Sequence, residues 1–210
     1  MQRALFLDRD GTLVEPYHYP TLPEHLRLYP GLAPRLYHAQ CLGFALVLVT
    51  NQSGIARGYL TEDDLQVMHA SLAANLACFG VHLSGIYYCP HMADGSVPQY
   101  ARACDCRKPA PGMLLRAAAD LCLDLRTSWL IGDILDDVEA GNRAGCRTIL
   151  VDLGTEAPPE SAIRRPNLVA RDTCHALDLL LGIEQGEKAG SPVYLPPSWR
   201  QSAVSVAPAS

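Results

Sequence analysis

The chain's 210 residues, 49% of them apolar, are enough for one sizeable core and argue against a second full domain. A net charge of −5 supplies no basic footprint, which argues against a nucleic-acid partner and against binding to an anionic membrane surface. The longest apolar run, Phe44 to Val49 and its neighbours, is too short to span a bilayer, and acids arrive already at Asp8, so the chain reads as soluble and cytoplasmic.

In chain order, the first apolar run, Leu5-Phe6-Leu7, ends abruptly in Asp8-Arg9-Asp10-Gly11-Thr12. Side chains at i and i+2 share a face of a strand, so Asp8 and Asp10 can reach one site while Arg9 points away, and Gly11 permits a tight turn. Two crowded carboxylates suit a hard, oxygen-preferring cation such as Mg²⁺. An ordinary Asp-Gly turn after a strand has the same look, and the stretch alone does not choose between them. Val14 to Pro30, rich in Pro, Tyr and His, reads as a surface loop near the site, with Pro16-Tyr17-His18-Tyr19 either touching a ligand or packed over the domain.

Gly31 to Leu42 is expected as a helix with Leu32, Leu36 and Ala39 on one face, and Phe44 to Val49 as a strand buried on both faces. Thr50-Asn51-Gln52-Ser53-Gly54 then gathers hydroxyls and amides at that strand's carboxyl end, where open α/β sheets place their ligands; a polar strand-to-helix turn is the plainer alternative. Thr61 and Asp64 form a capping box for a helix to Phe79, with Leu65, Met68, Leu72 and Leu76 inward and His69 in a structural role. Ile86 to Tyr88 is a third strand. Pro111-Gly112-Met113 opens a helix to Leu123, and Ser128 to Ile131 is a strand ending in the acids Asp133, Asp136 and Asp137. A helix from Val138 to Ala144 capped by Gly145, strands at Thr148–Val151 and Asn167–Ala170, and a helix at Cys174–Leu181 complete the pattern. Strands alternating with helices give a parallel, Rossmann-like α/β sheet with helices on both faces and right-handed crossovers. The domain is expected over residues 1–183, with 184–210 a tail that is flexible or laid along the surface.

Of eight cysteines, Cys41, Cys78, Cys122, Cys146 and Cys174 are scattered through apolar segments and read as reduced core residues. The other three belong together. Cys89-Pro90-His91, twelve residues, then Cys104-Asp105-Cys106 supplies three thiolates and an imidazole, the ligand set of a closed tetrahedral Zn²⁺ site, against the alternative of unrelated thiols beside a surface histidine. The excursion Met92 to Ala103 has too little apolar content to pack without such a staple, and a fixed loop would hold Arg107 and Lys108 at the mouth of the site.

Collected on the sheet's carboxyl edge, Asp8 and Asp10, Thr50 with Asn51, Lys108 and Asp133 resemble the four motifs of the haloacid-dehalogenase-like phosphatases. Phe6 to Thr12, Thr50 to Gly58, the Cys-x-His…Cys-x-Cys loop and Cys106-Arg107-Lys108-Pro109 are similar to the branch holding the heptose bisphosphate and histidinol-phosphate phosphatases, over about residues 3 to 182. The resemblance implies a Mg²⁺-dependent phosphomonoester hydrolase with Asp8 as nucleophile, Asp10 as proton carrier, and Mg²⁺ on the Asp8 and Asp133 carboxylates and the Asp10 carbonyl. Asp136 or Asp137 would support these ligands.

By the same resemblance, Thr50 and Lys108 hold phosphoryl oxygens, Asn51, Gln52 and Ser53 line the phosphate site, and Arg107 recognises a second phosphate. Intervals 14–30 and 80–109 leave no room for a cap domain. The implied substrate is a small phosphorylated sugar, a heptose 1,7-bisphosphate losing its C7 phosphate, with histidinol phosphate as the rival; a 3′-phosphorylated polynucleotide conflicts with the acidic balance. A non-catalytic, zinc-stapled phosphate-binding module is the reading from another class. Ile134 stands where the heptose enzymes usually carry lysine. With no long apolar stripe left over, the chain is expected to be a monomer.

Overall fold

The computed structural model describes residues 1–186, 194 and 196–200. Six strands, β1 (Ala4–Leu7), β2 (Ala45–Asn51), β3 (Leu83–Cys89), β4 (Trp129–Gly132), β5 (Arg147–Val151) and β6 (Leu168–Ala170), pair in parallel in the order β3-β2-β1-β4-β5-β6. Phe6 stands opposite Val47 on one side and Leu130 on the other, so β1 is central and the strand order reverses between β1 and β4. Ligands of doubly wound sheets bind in the crevice at such a reversal.

Side-chain alternation explains why β1 and β2 read as unbroken apolar runs. Leu5, Leu7, Leu46, Leu48, Trp129 and Ile131 face one core with α1 (Leu32–Cys41), α3 (Glu62–Ala77) and α6 (Thr173–Glu184). Ala4, Phe6, Ala45, Val47 and Val49 face the other, packed on Met113, Leu114 and Ala117 of α4 (Gly112–Leu121). Both faces of the sheet are therefore dry, and period 2 carries no polar alternation. The fold is the expected α/β sheet with helices on both faces. One short helix, α2 (Ser53–Ala56), follows the turn after β2, and α5 (Leu135–Ala144) follows β4.

Helix ends follow local chemistry. The Thr61 hydroxyl accepts from the Asp64 N–H at 3.1 Å while the Asp64 carboxylate accepts from the Thr61 N–H at 2.8 Å, so aspartate closes the capping box as glutamate would. Gly145 ends α5 with φ +86°.

Two expectations need correction. Cys41, Cys78 and Cys122 are exposed and Cys174 half-buried, so among the scattered cysteines only Cys146 is in the core; all are free thiols. Cys41 is the last residue of α1, and Cys78 and Cys122 cap α3 and α4, at the helix ends that precede β2, β3 and β4. The loop between β1 and α1 is not wholly a surface feature, since Val14 and Leu26 are buried and Val14 bridges Asp10 and Leu28. Glu184 is the last residue of α6 and accepts from Trp129 Nε1 at 3.0 Å and Arg147 at 2.8 Å, besides pairing with Arg3. Residues 187–193, 195 and 201–210, most of the expected tail, lie outside the described residues. Within it, Tyr194 donates to Asp152 at 2.8 Å, and Trp199 to the Glu156 carbonyl at 3.1 Å. Among the described residues no helix is long and apolar enough to cross a membrane.

Leu48→Ala should destabilise the protein by about 2–5 kcal/mol in urea unfolding, because a fully buried leucine leaves a cavity. Val67→Ala, on the exposed face of α3, should change stability by less than about 0.5 kcal/mol.

Candidate active site

The carboxyl ends of β1 and β4 bring Asp8, Asp133 and Asp137 together, with one oxygen of each within 4.8 Å of the others. The backbone builds this closeness. Asp8 N–H donates to Ile131 at 3.0 Å, keeping the two strands paired past the end of β1. Gly11 has φ +83°, and a Cβ there would lie 2.4 Å from an Asp133 oxygen; at Gly132 a Cβ would meet Asp137 at 2.3 Å. Only glycine lets the chain pass so near the acids. Thr12 donates to Asp133 at 3.4 Å and is itself held by Thr173, which donates to the Thr12 carbonyl at 2.7 Å.

Lys108 enters this cluster from the segment after the cysteine loop. Its Nζ, buried, lies 2.5 Å from both Asp8 Oδ1 and Asp137 Oδ1 and donates to the Val49 carbonyl at 3.0 Å. Burial alone would lower the lysine's pKa, but the carboxylates of Asp137 and Asp8 outweigh it and raise it, so Lys108 stays charged. One cation does not balance three acids. Burial, with the charges of Asp137 and Asp10 opposing Lys108, pushes Asp8 up to about 7. Burial and the charges of Asp8 and Asp137 push Asp133 up to about 8. A set of buried carboxylate oxygens lacking positive charge fits a hard divalent cation such as Mg²⁺.

Asp10 turns its carboxylate elsewhere. Its Oδ2 accepts from Arg9 Nε and from Gln52 Nε2, each at 3.1 Å, and stands 2.9 Å from Arg9 Nη2 in an ion pair, while Oδ1 is buried with no partner. Arg9, expected to point away, brings its guanidinium back to Asp10, because the strand ends at Leu7 and period 2 no longer governs direction. Gln52 also donates to Thr50 Oγ1 at 2.8 Å, and Thr50 is buried. Both ends of the Asn51 amide are occupied by the Lys108 backbone, at 3.0 Å to its N–H and 3.1 Å to its carbonyl, which ties β2 to the lysine segment. Ser53 opens α2. Arg107 lies half-buried beside Lys108 but donates to the His91 carbonyl at 3.3 Å, toward the cysteine loop. Asp136 pairs with Arg164 at 2.7 Å, so of the two neighbouring acids only Asp137 joins the cluster.

The other cluster is Cys89, His91, Cys104 and Cys106. Sulfur separations are 3.2 Å for Cys106 with Cys89 and with Cys104, and 3.5 Å for Cys89 with Cys104; His91 Nδ1 lies 3.3 Å from Cys106. Four ligands around zinc, with Zn–S near 2.3 Å, stand about 3.8 Å apart, so the group needs only slight expansion to hold such an ion. The loop it closes rests on α2 through Val97 N–H to Ala56 at 2.9 Å.

The chain is 40% identical over 185 residues, 88% of its length and 100% of the relative's, to a D-glycero-β-D-manno-heptose-1,7-bisphosphate 7-phosphatase of Pasteurella multocida. It belongs to that family of haloacid-dehalogenase-like phosphatases. The corresponding Escherichia coli K12 protein is 43% identical over 159 residues, 75% of this chain and 83% of that one. A family model described as "HAD-hyrolase-like" matches residues 105–176. The crystal structure of D,D-heptose 1,7-bisphosphate phosphatase from B. bronchiseptica, complexed with magnesium and phosphate, superposes with a TM-score of 0.73 at 30% identity, covering 86% of this chain and 99% of that one.

For this phosphatase the acid cluster predicts how stability depends on pH. Asp8 and Asp133 keep their protons in the folded chain up to about 7 and about 8, against 3.8 when unfolded, so the metal-free protein should lose stability as pH rises through that window. Mg²⁺ held by these carboxylates would displace those protons, so the rise in melting temperature it causes should be larger at about pH 8 than at about pH 6. Equal rises at both would show that the acids are not its ligands.

Proposed function

We propose that this protein is a Mg²⁺-dependent phosphatase that removes the C7 phosphate of D-glycero-β-D-manno-heptose 1,7-bisphosphate through an aspartyl-phosphate at Asp8. The observation that carries the reading is the buried Lys108 between Asp8 and Asp137, at the sheet's reversal point, in a chain 40% identical to an enzyme named for that reaction.

Asp8 attacks phosphorus in line, and Lys108 offsets its charge so that a phosphate dianion can approach. Lys108 and Thr50 hold phosphoryl oxygens, and Asn51 keeps Lys108 in place by gripping its backbone. Gln52 orients Thr50 and Asp10, and Ser53 lines the same loop. Asp10 gives its proton to the departing sugar oxygen and takes one from the water that hydrolyses the intermediate. Mg²⁺, on the carboxylates of Asp8 and Asp133 and the Asp10 carbonyl, supplies positive charge to oxygens that gain negative charge as phosphorus is transferred. Asp137 anchors Lys108 from the far side. Arg107 binds the second phosphate of the substrate, a task Ile134 cannot share because it has no donor.

Zn²⁺ on Cys89, His91, Cys104 and Cys106 is structural, since four protein ligands leave no open position. The acidic balance and the scattering of exposed apolar side chains support a cytoplasmic monomer that acts on a small phosphorylated sugar, without nucleic acid or membrane.

Asp8→Asn should lower turnover by at least about 1,000-fold while cooperative unfolding persists. On a panel of both heptose 1,7-bisphosphate anomers, fructose 1,6-bisphosphate, histidinol phosphate and a 3′-phosphorylated oligonucleotide, kcat/KM should be at least about tenfold higher for the β-heptose compound. A preference for histidinol phosphate would leave the reaction standing and overturn the substrate.

Elemental analysis should find about one zinc per chain, and its removal by a strong chelator should expose residues 92–103 to proteases and lower turnover through Lys108. A zinc content well below one in active protein would exclude the structural metal.

A further inference from the structure

Arg9 is 0% exposed, and a guanidinium is buried without loss only when its N–H groups find acceptors. Beyond its contacts to Asp10 Oδ2, Nη2 donates to Gln52 Oε1 at 2.9 Å, and Nη1 lies 3.2 Å from His69 Nε2. His69 is buried on α3, and burial together with Arg9 pushes its pKa down to about 3. The ring is therefore neutral; its Nε2 accepts from Arg9 and its proton sits on Nδ1. Gln52 takes Arg9 on its amide oxygen and so aims its nitrogen at Asp10 Oδ2 and Thr50. Two N–H donors, Arg9 Nε and Gln52 Nε2, converge on one carboxylate oxygen, Arg9 Nη2 adds an ion pair to it at 2.9 Å, and the other oxygen is buried without a partner. A pair that served stability alone would have no need to saturate one oxygen and spare its twin.

We propose that Arg9, seated on His69 and Gln52, is a positioning residue that locks Asp10 with Oδ1 as the oxygen that exchanges protons with leaving group and water. The inference rests on the acid–base role proposed for Asp10. In the first step the bond from phosphorus to the sugar oxygen breaks as the bond from Asp8 forms, and the proton on Oδ1 passes to the sugar oxygen. In the second, water attacks phosphorus, one of its protons passes to Oδ1, and the bond to Asp8 breaks. Oδ2 keeps its two donors and its ion pair throughout, so the carboxylate does not turn between steps.

The test compares heptose 1,7-bisphosphate with 4-nitrophenyl phosphate, whose leaving group needs no proton, on the Mg²⁺-loaded enzyme. Asp10→Asn serves as the reference: it should release about one nitrophenolate per chain in a fast burst and then stall as phospho-enzyme, because only the second step still needs the carboxylate. Arg9→Met should give the same burst, with kcat on the bisphosphate down about 100-fold and KM within about threefold. His69→Leu, which deletes the acceptor behind Arg9, should show the pattern at about a tenfold loss, and His69→Gln, which restores an acceptor, should recover most of it. If Arg9→Met does not fold, the His69 pair decides by the same burst. Equal losses on both substrates without a burst, or unchanged turnover, would make Arg9 a fold element and overturn the lock. A reference variant that shows no burst would instead remove the role of Asp10, and the lock with it.

Discussion

The site is organised by one unbalanced charge. Lys108 is buried where β1 and β4 part, 2.5 Å from Asp8 and from Asp137, with Asp133 alongside. A single lysine cannot neutralise three buried carboxylates, so the protein on its own holds protons on Asp8 and Asp133 that an exposed acid would have lost. That shortage of positive charge suits the cluster to a divalent ion. Glycine at positions 11 and 132 is what lets the backbone pack the acids this closely.

Lys108 has no helix or strand of its own to hold it. The segment that carries it is fixed from two sides: Asn51, at the end of β2, grips its backbone, and two residues before it Cys106 joins the cysteine–histidine cluster. The cluster's loop leans in turn on α2, directly after the Thr50 turn. Stability of the cysteine–histidine loop and geometry of the buried lysine are thus one mechanical problem, which explains why a small loop with little apolar content sits beside the acid cluster.

Asp10 is governed by a separate network of Arg9, Gln52 and His69, on the side of the sheet lined by α3. Keeping the two acids in different environments lets neighbouring carboxylates take different tasks. One is hemmed in by acids and a lysine; the other has one oxygen saturated and one free.

Local pattern in the chain specified most strands and helices and the residue types at the sheet's carboxyl edge. Apolar periodicity is a local property, so β1, β2 and the inward face of α3 were legible from Leu5–Leu7, Phe44–Val49 and Leu65–Leu76, and the cysteine–histidine spacing named its own cluster. Directions beyond the strand ends were set by tertiary packing instead. Whether Asp136 or Asp137 enters the site turns on α5, which aims one at Lys108 and the other at Arg164. Arg9 folds back because it meets Gln52, 43 positions on, and His69, 60 positions on. Cys41, Cys78 and Cys122 sit in apolar stretches yet end exposed, since each lies at a helix's carboxyl end, beyond the turns that pack on the sheet. Such partners are set by how helices and loops pack across the sheet, and no local period in the chain encodes that.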